Sequence, residues 1–448
     1  MLRGRGFWLK CWAVLLPACH SGAAESEAAG GGVTTETGVT SAGGAPPASQ
    51  TASGSSAAGA GGADAGSGGD AALGAAGAVG DPGVPCSARL SEGSWAVRFA
   101  DMVISRYTSP REIMGEQGLF QYNSGIVLRG LWEVYKNTCD ARYAEYIRRY
   151  VDAAVDDAGH LNIPQEHNFD NLQPAVLLPF LYGYSGDERY QVAAREVLDR
   201  YASMPKNAEG GYWHKQNYPN ELWCDTIYVG MTPLIEYARG FDDCGSFCLD
   251  EAVDQALLLA EHAQLGSGLM LHAYDGDANA AWADASGVSP EVWGRANGWY
   301  LMAAVELLAA LPRDHARRGE LLDVVTLLAG GLERAQDASG LWFQVLDKGG
   351  QAGNFLETSS SGMFVYALDL AVENGDLPES FRDVAAAGWS GLLAEGRILD
   401  NAGVPEVSGA VEGMGVQTSY ALYVNKQTLV NSSHGLIAAL LASVRMAE

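Results

Sequence analysis

Basic residues are scarce in this 448-residue chain: 28 lysines and arginines face 54 aspartates and glutamates, giving a net charge of −26. Gripping nucleic-acid phosphates takes clustered Lys and Arg, so a nucleic-acid partner is excluded. A small anion is not, because a few local cations can hold one carboxylate inside an acidic protein. The histidines are too dispersed for an HExxH zinc site, since no two of the eight lie three to five residues apart. A Gly-Lys pair for a phosphate loop and a G-x-S-x-G nucleophile elbow are also missing. The apolar run nearest the N-terminus, Cys11 to Leu16, is too short to span a bilayer as a mature helix.

Residues 1–18 instead read as a secretory signal, with Arg3, Arg5 and Lys10 ahead of that run and small residues before Cys19. LPAC (Leu16 to Cys19) resembles a bacterial lipobox, with Pro17 unusual in it, and predicts acylation of Cys19. Residues 19–85 are dominated by Gly, Ala, Ser and Thr, and from 21 onward they carry no Lys, Arg or aromatic side chain. Such a stretch has nothing to bury and is expected to act as a flexible tether, spanning roughly 40–50 Å end to end. The expected location is outside the cytoplasm, lipid-anchored to a bacterial membrane and facing periplasm or exterior. Residues 86–448 are aromatic-rich, apolar and free of low-complexity runs, the pattern of one globular catalytic domain.

Setting aside Cys11 and Cys19 leaves Cys86, Cys139, Cys224, Cys244 and Cys248, so at least one thiol stays free. Cys244 with Cys248 is one feasible bridge and Cys86 with Cys139 another. A zinc site fits poorly, with three residues between Cys244 and Cys248 and no His pair nearby.

Three-and-four apolar spacing predicts helices at 124–138, 142–155, 189–204, 250–265, 298–311, 318–336, 361–375 and 432–445, while strand-type alternation is scarce. The fold expected is all-α. Asp140-Ala-Arg142-Tyr143 and Asp187-Glu-Arg189-Tyr190 open two helices 47 residues apart, a period that fits one helical hairpin. Hairpins of this kind stack as a solenoid or close as a toroid, and the Gly- and aromatic-rich loops between them favour a barrel with a pocket at one end.

Six of the eleven tryptophans (Trp213, Trp223, Trp282, Trp293, Trp299, Trp342) lie between 213 and 342, mostly in loops or at helix starts. Flat apolar rings beside Asp, His and Arg suit a pyranose, though each ring could equally be core. Asp225 sits in the apolar run ELWCDTIYVG, where burial would raise its pKa and keep it protonated as a general acid requires. Asp225 could instead cap the helix beginning near Thr226, and Asp170 in HNFDNLQP could cap the helix that follows it. Arg295 in WGRANGW has the fork geometry to orient an acidic sugar, or it forms a surface ion pair.

The segments EGGYWHKQNYPNELWCDTIYVG, LHAYD, SPEVWGRANGWYLMA, GLWFQVLDKGG and NFLETSSSGMFVYAL occur in this order. In that order and spacing the chain resembles the unsaturated rhamnogalacturonyl hydrolases of glycoside hydrolase family 105, over roughly residues 95–445. The unsaturated glucuronyl hydrolases of family 88 share the general plan. The resemblance implies an (α/α)6 barrel, no metal and no organic cofactor, and an unsaturated oligosaccharide substrate of pectin type. It assigns the acid/base role to Asp225 and a second pocket carboxylate to Asp170. Tyr122, His214, Lys215, His272, Arg295 and Trp299 match its substrate-binding positions. One departure is NSSHG (Asn431 to Gly435), where the family often has Asn-Asp, which puts the pocket rim in question.

The implied chemistry begins with a C4=C5 double bond left by a lyase in a terminal uronic acid. Asp225 delivers a proton to C4, water activated by the resulting carboxylate adds at C5, and the hemiketal opens and expels the neighbouring sugar. Arg295, His214 or Lys215 would hold the C6 carboxylate, and Asp170 a hydroxyl or the water. Two other readings stand beside this one: hydrolysis of saturated glycosides by an Asp170/Asp225 inverting pair, and non-catalytic glycan binding by the tryptophans.

Overall fold

The computed structural model describes residues 86–114 and 120–446, all within one unit, Gly77–Glu448. The expected signal segment, Cys19 and the tether lie outside the described residues. Some of its helices carry apolar or small residues on every face, and a helix of that kind is stable only when surrounded. These are α2 (Tyr122–Thr138), α4 (Leu177–Ser185), α6 (Cys224–Gly240), α8 (Gly294–Ala310), α10 (Thr358–Glu373) and α13 (Ser433–Arg445). Burial runs unbroken over residues 124–135, 177–181, 226–237, 294–308, 358–369 and 434–443 respectively.

The remaining long helices are amphipathic. In α3 (Ala141–Asp152) the buried set Tyr143, Ala144, Tyr146, Ile147, Tyr150 and Val151 forms one stripe, so the helix can lie on the outside. α1 (Trp95–Arg106), α5 (Glu188–Tyr201), α7 (Phe247–Ala263), α9 (Arg318–Ala335) and α11 (Ser380–Ala394) do the same.

Packing closes the inner helices into a ring. α6 packs on α8, α8 on α10, α10 on α13 and α13 on α2, while the 3-10 turn Gln173–Val176 leading into α4 fills the gap between α2 and α6. Each inner helix is backed by an outer one, α1 on α13 and α3, α5, α7, α9 and α11 on α2, α4, α6, α8 and α10. The architecture is therefore an (α/α)6 barrel, as expected. The 47-residue echo has a structural cause: Asp140 and Asp187 are the N-caps of α3 and α5, each accepting the backbone N–H two residues on, at 2.9 and 3.0 Å. The following tyrosines then tie the outer helices together, Tyr143 donating to Asp101 of α1 at 3.0 Å and Tyr190 to Asp152 of α3 at 2.7 Å.

All eight predicted helices are present, with boundaries shifted by up to four residues. The periodicity missed α1, α4, α6 and α11 and the short α12 (Tyr420–Val424). α4 has only nine residues and contains Pro179, and α11 is diluted by Gly and Ala, so neither shows a clear stripe. Among the described residues strand is confined to three antiparallel pairs, β1 (Glu221–Trp223) with β2 (Ala273–Asp275), β3 (Ile398–Asn401) with β4 (Val404–Val407), and β5 (Ala410–Val411) with β6 (Thr428–Leu429).

Loop length is strongly asymmetric. Connections from inner to outer helices are short, such as 139–140 and 186–187, whereas the return connections include 153–176, 202–223, 264–293, 336–357 and 395–432. The long loops gather at the N-terminal ends of the inner helices and build a mouth there. At the other end Cys86 is bonded to Cys139, the C-cap of α2, and residues 87–90 hydrogen-bond to the carbonyls of Lys136 and Asn137. Cys244 is bonded to Cys248, which removes the zinc reading, and Cys224 is a buried free thiol.

Inner helices approach closely where they present glycine. A Cβ placed on Gly362 of α10 would lie 2.8 Å from the Ala438 side chain and 2.9 Å from its carbonyl oxygen on α13, whereas one on Gly319 of α9 would meet nothing within 4 Å. Gly362→Ala is therefore expected to cost about 1–3 kcal/mol through overpacking. Gly319→Ala should keep or slightly raise the thermal midpoint. Paired Tm measurements on the two variants check this.

Candidate active site

Local pairing of three loops sets the floor of the mouth. Asn168 and Lys215 form an antiparallel bridge, with Phe169 N–H donating to His214 O at 3.4 Å and Gln216 N–H to His167 O at 2.9 Å. This lays His214 and Lys215 against the 3-10 turn Phe169–Asn171 that carries Asp170. Asn168, not Asp170, caps that turn, its Oδ1 accepting Asp170 N–H at 3.0 Å. The Asp170 carboxylate is thus left for Lys215 Nζ at 2.5 Å and His214 Nε2 at 3.7 Å.

The capping alternative fails for Asp225 as well. Trp223 is the N-cap of α6, its N–H donating to Thr226 Oγ1 at 3.2 Å, and Asp225 stands in the first turn with its carboxylate free to reach His272 Nε2 at 3.2 Å. Its side chain is 16% exposed, so the burial expected from its apolar flanks is partial. A carboxylate in the first turn also sits favourably against the helix dipole. The β1–β2 register, Trp223 opposite Ala273, is what brings His272 alongside α6.

Burial dominates the electrostatics. It pushes the Asp170 carboxyl above its usual range, Lys215 opposing this and the charge of Asp225 adding to it. Burial, then the neighbouring Lys215 and His272, hold His214 well below the ordinary histidine value, so it is neutral and its approach to Asp170 is dipolar. His434 is likewise held neutral by burial and by Arg295. Tyr122 stands at the start of α2, its hydroxyl 3.2 Å from His434 Nε2. Its pKa is raised first by burial and then by the Asp170 charge, with Asp225 contributing and Arg295 opposing, so both carboxylates face this one hydroxyl.

Aromatic rings wall the site. Tyr218, Trp223 and His214 stack in sequence, with centroids 4.9 and 4.3 Å apart and interplanar angles of 30° and 19°. Trp299 lies deeper on α8, 2% exposed, against Tyr228 at 4.8 Å and edge-on to His434 at 6.2 Å. Trp342 belongs to the core, donating to Leu332 O at 2.8 Å.

Arg295 is placed differently from the expected carboxylate clamp. It is 1% exposed, with Nη1 donating to Val411 O at 2.7 Å and Ser359 Oγ at 3.2 Å and Nη2 donating to Glu412 O at 2.6 Å. The buried Glu357 carboxylate is 3.9 Å away and accepts Val411 N–H at 2.9 Å. The fork is filled by main chain because residues 411–417 cross the mouth: a Cβ on Gly413 would lie 3.4 Å from Tyr122 Oη, and one on Gly415 3.5 Å from Trp223. The surface ion-pair alternative fails too.

Sequence reasoning missed His434, Tyr218, Glu357 and Tyr423, whose residue types carried no signal without the packing. The departure at NSSHG has a local resolution. Ser432 is the N-cap of α13, its Oγ accepting Gly435 N–H at 3.2 Å, a role that serine fills as well as aspartate. Asn431 Oδ1 accepts Val407 N–H at 2.9 Å, fixing the rim.

The sequence profile of Glycosyl Hydrolase Family 88 matches residues 95–448. The chain belongs to this family. A family 105 glycoside hydrolase from C. acetobutylicum superposes on the enzyme with a TM-score of 0.73 at 31% identity, covering 79% of this chain and 99% of the other. Protein Atu3128 of Agrobacterium fabrum is 42% identical over 174 residues, which is 38% of this chain and 74% of that protein. The unsaturated rhamnogalacturonyl hydrolase YesR of Bacillus subtilis is 26% identical over 261 residues, 56% of this chain and 70% of YesR. The chain is thus a glycoside hydrolase with the fold of this family.

Lys215 is the main influence lowering the Asp170 pKa against burial. In Lys215→Met that carboxyl should titrate at still higher pH. A carboxyl whose folded value exceeds its unfolded one costs stability once the pH rises past the unfolded value. Lys215→Met is therefore expected to lose Tm at neutral pH relative to the wild type, with the deficit shrinking on acidification, as thermal melts across pH will read.

Proposed function

We propose that the hydrolase releases the terminal 4,5-unsaturated uronic acid from lyase-generated oligosaccharides of rhamnogalacturonan or pectin type. The observation that carries this reading is the pair of carboxylates in one mouth, neither spent on helix capping and each with its own basic partner, Asp225 with His272 and Asp170 with Lys215. The substrate class follows from the family and from relatives such as YesR.

In this reading protonated Asp225 gives its hydrogen to C4, the C4=C5 electron pair forming the new C–H bond and leaving positive charge shared by C5 and the ring oxygen. Water then bonds to C5 while the Asp225 carboxylate takes its proton. The hemiketal so formed opens at the C5–O bond, and the hemiacetal released at C1 expels the next sugar. Asp170 orients the water or a hydroxyl, and Lys215, with its side chain 24% exposed, is the cation that an incoming C6 carboxylate meets. Arg295 adds positive potential from behind. The stacked Tyr218 and Trp223 offer a face for the sugar ring.

Asp225→Asn is expected to fold normally and to lose about 10²–10⁴-fold in turnover. The assay follows the ultraviolet absorbance of the conjugated alkene across a panel of unsaturated disaccharides. Wild-type rates in that variant, or wild-type enzyme that cleaves only saturated glycosides, would sink the reading. We further propose that Cys19 is acylated and tethers residues 86–448 to a membrane. Cys19→Ser should move the protein from the detergent-extracted to the soluble fraction and abolish metabolic labelling by fatty acid.

A further inference from the structure

We infer that Tyr423 is a positioning residue that locks His272 in the single tautomer able to donate a hydrogen bond to Asp225. The inference rests on the reading of Asp225 as the proton donor. The geometry is a chain of three side chains: Tyr423 Oη lies 2.8 Å from His272 Nδ1, and His272 Nε2 lies 3.2 Å from Asp225 Oδ2. Tyr423 and His272 are both 0% exposed, so water does not compete for either ring.

The direction of each bond is fixed by elimination. The phenol oxygen of Tyr423 already accepts the Gln417 backbone N–H at 3.3 Å. Burial raises the Tyr423 pKa against the opposing Gln417 hydrogen bond, and the charges of Asp225 and Glu291 add to the rise, so the hydroxyl keeps its proton and donates it. The acceptor is His272 Nδ1, which therefore carries no hydrogen, and the imidazole proton resides on Nε2, aimed at Asp225. An imidazole free to swap tautomers would instead present a lone pair to the carboxylate. A fixed donor stabilises the ionised form that Asp225 reaches on releasing its proton and leaves the other oxygen for the substrate.

The surroundings hold the ring in place. Trp293 packs on His272 with centroids 4.5 Å apart, and Trp223 meets it edge-on at 5.9 Å. Gln344 spans the far side, its Nε2 donating to Tyr423 O at 3.0 Å and its Oε1 accepting Trp293 Nε1–H at 3.2 Å. Tyr423 sits on α12, in the same long connection, 395–432, that Arg295 grips at Val411 and Glu412. The competence of the acid is thereby linked to the seating of that segment.

Two measurements test this. In wild-type enzyme, nitrogen-15 NMR of His272, assigned by its loss in His272→Gln, should show a protonated Nε2 and a bare Nδ1; a protonated Nδ1 overturns the inference whatever the activity. Tyr423→Phe should lower kcat about ten- to hundred-fold. Its KM should stay within about twofold of wild type, and the limb of the pH–rate profile governed by Asp225 should move. Wild-type kcat with an unchanged pH profile, in a variant whose thermal melt shows it folded, overturns it too. Should Tyr423→Phe fail to fold, the NMR result on the wild type decides alone. Full activity in Asp225→Asn would instead remove the reading of the acid, leaving the tautomer measurement standing by itself.

Discussion

A guanidinium shut away from water organises this end of the barrel. Arg295, on the first turn of α8, reaches Ser359 on α10 and the carbonyls of Val411 and Glu412, with the buried Glu357 carboxylate at 3.9 Å as its counter-charge. Taking two such charges out of water costs several kcal/mol each, and the arrangement holds only because nearly every polar atom around it finds a partner. Its effect is to stitch two inner helices to the segment that crosses the mouth. The same connection brings Tyr423 to His272, so the position of a proposed catalytic group depends on a cation that never meets solvent.

Much of the fold was legible in the sequence. Four of the outer helices, α3, α5, α7 and α9, announce themselves because a surface helix must alternate apolar and polar faces, as α3 does with its Tyr/Ile/Val stripe. The inner helices α2, α8, α10 and α13 were found by the same three-and-four spacing, whereas α4 escaped because a nine-residue segment with a proline has too few turns to show a period, and α6, also interrupted by a proline, escaped with it. Asp170, His214, Lys215, Asp225 and His272 were singled out from motif order, and they do meet in space. Arg295 was singled out too, yet residue type could not reveal that its donors are turned toward main chain. His434 and Tyr423 stayed hidden because their importance lies in who sits beside them, through contacts to residues more than a hundred positions away.

The site also illustrates how one kind of environment yields different chemistry in neighbouring groups. Burial raises the Asp170 carboxyl and lowers His214 and His434, because in each case it opposes the charged form. The result is a mouth in which His214 and His434 are neutral donors and acceptors, and whose permanent positive charge comes from Lys215 and Arg295. An acidic protein thus keeps a local field fit for an anionic sugar, and the overall charge of −26 is no obstacle.

The bond between Cys86 and Cys139 fastens the beginning of the described chain to the end of α2 that carries the short loops. Cys86 therefore sits at the back of the barrel, opposite the long loops that build the mouth around Asp170 and Asp225. The covalent fastening thus falls wholly on the closed face, and the open face is left unencumbered by it.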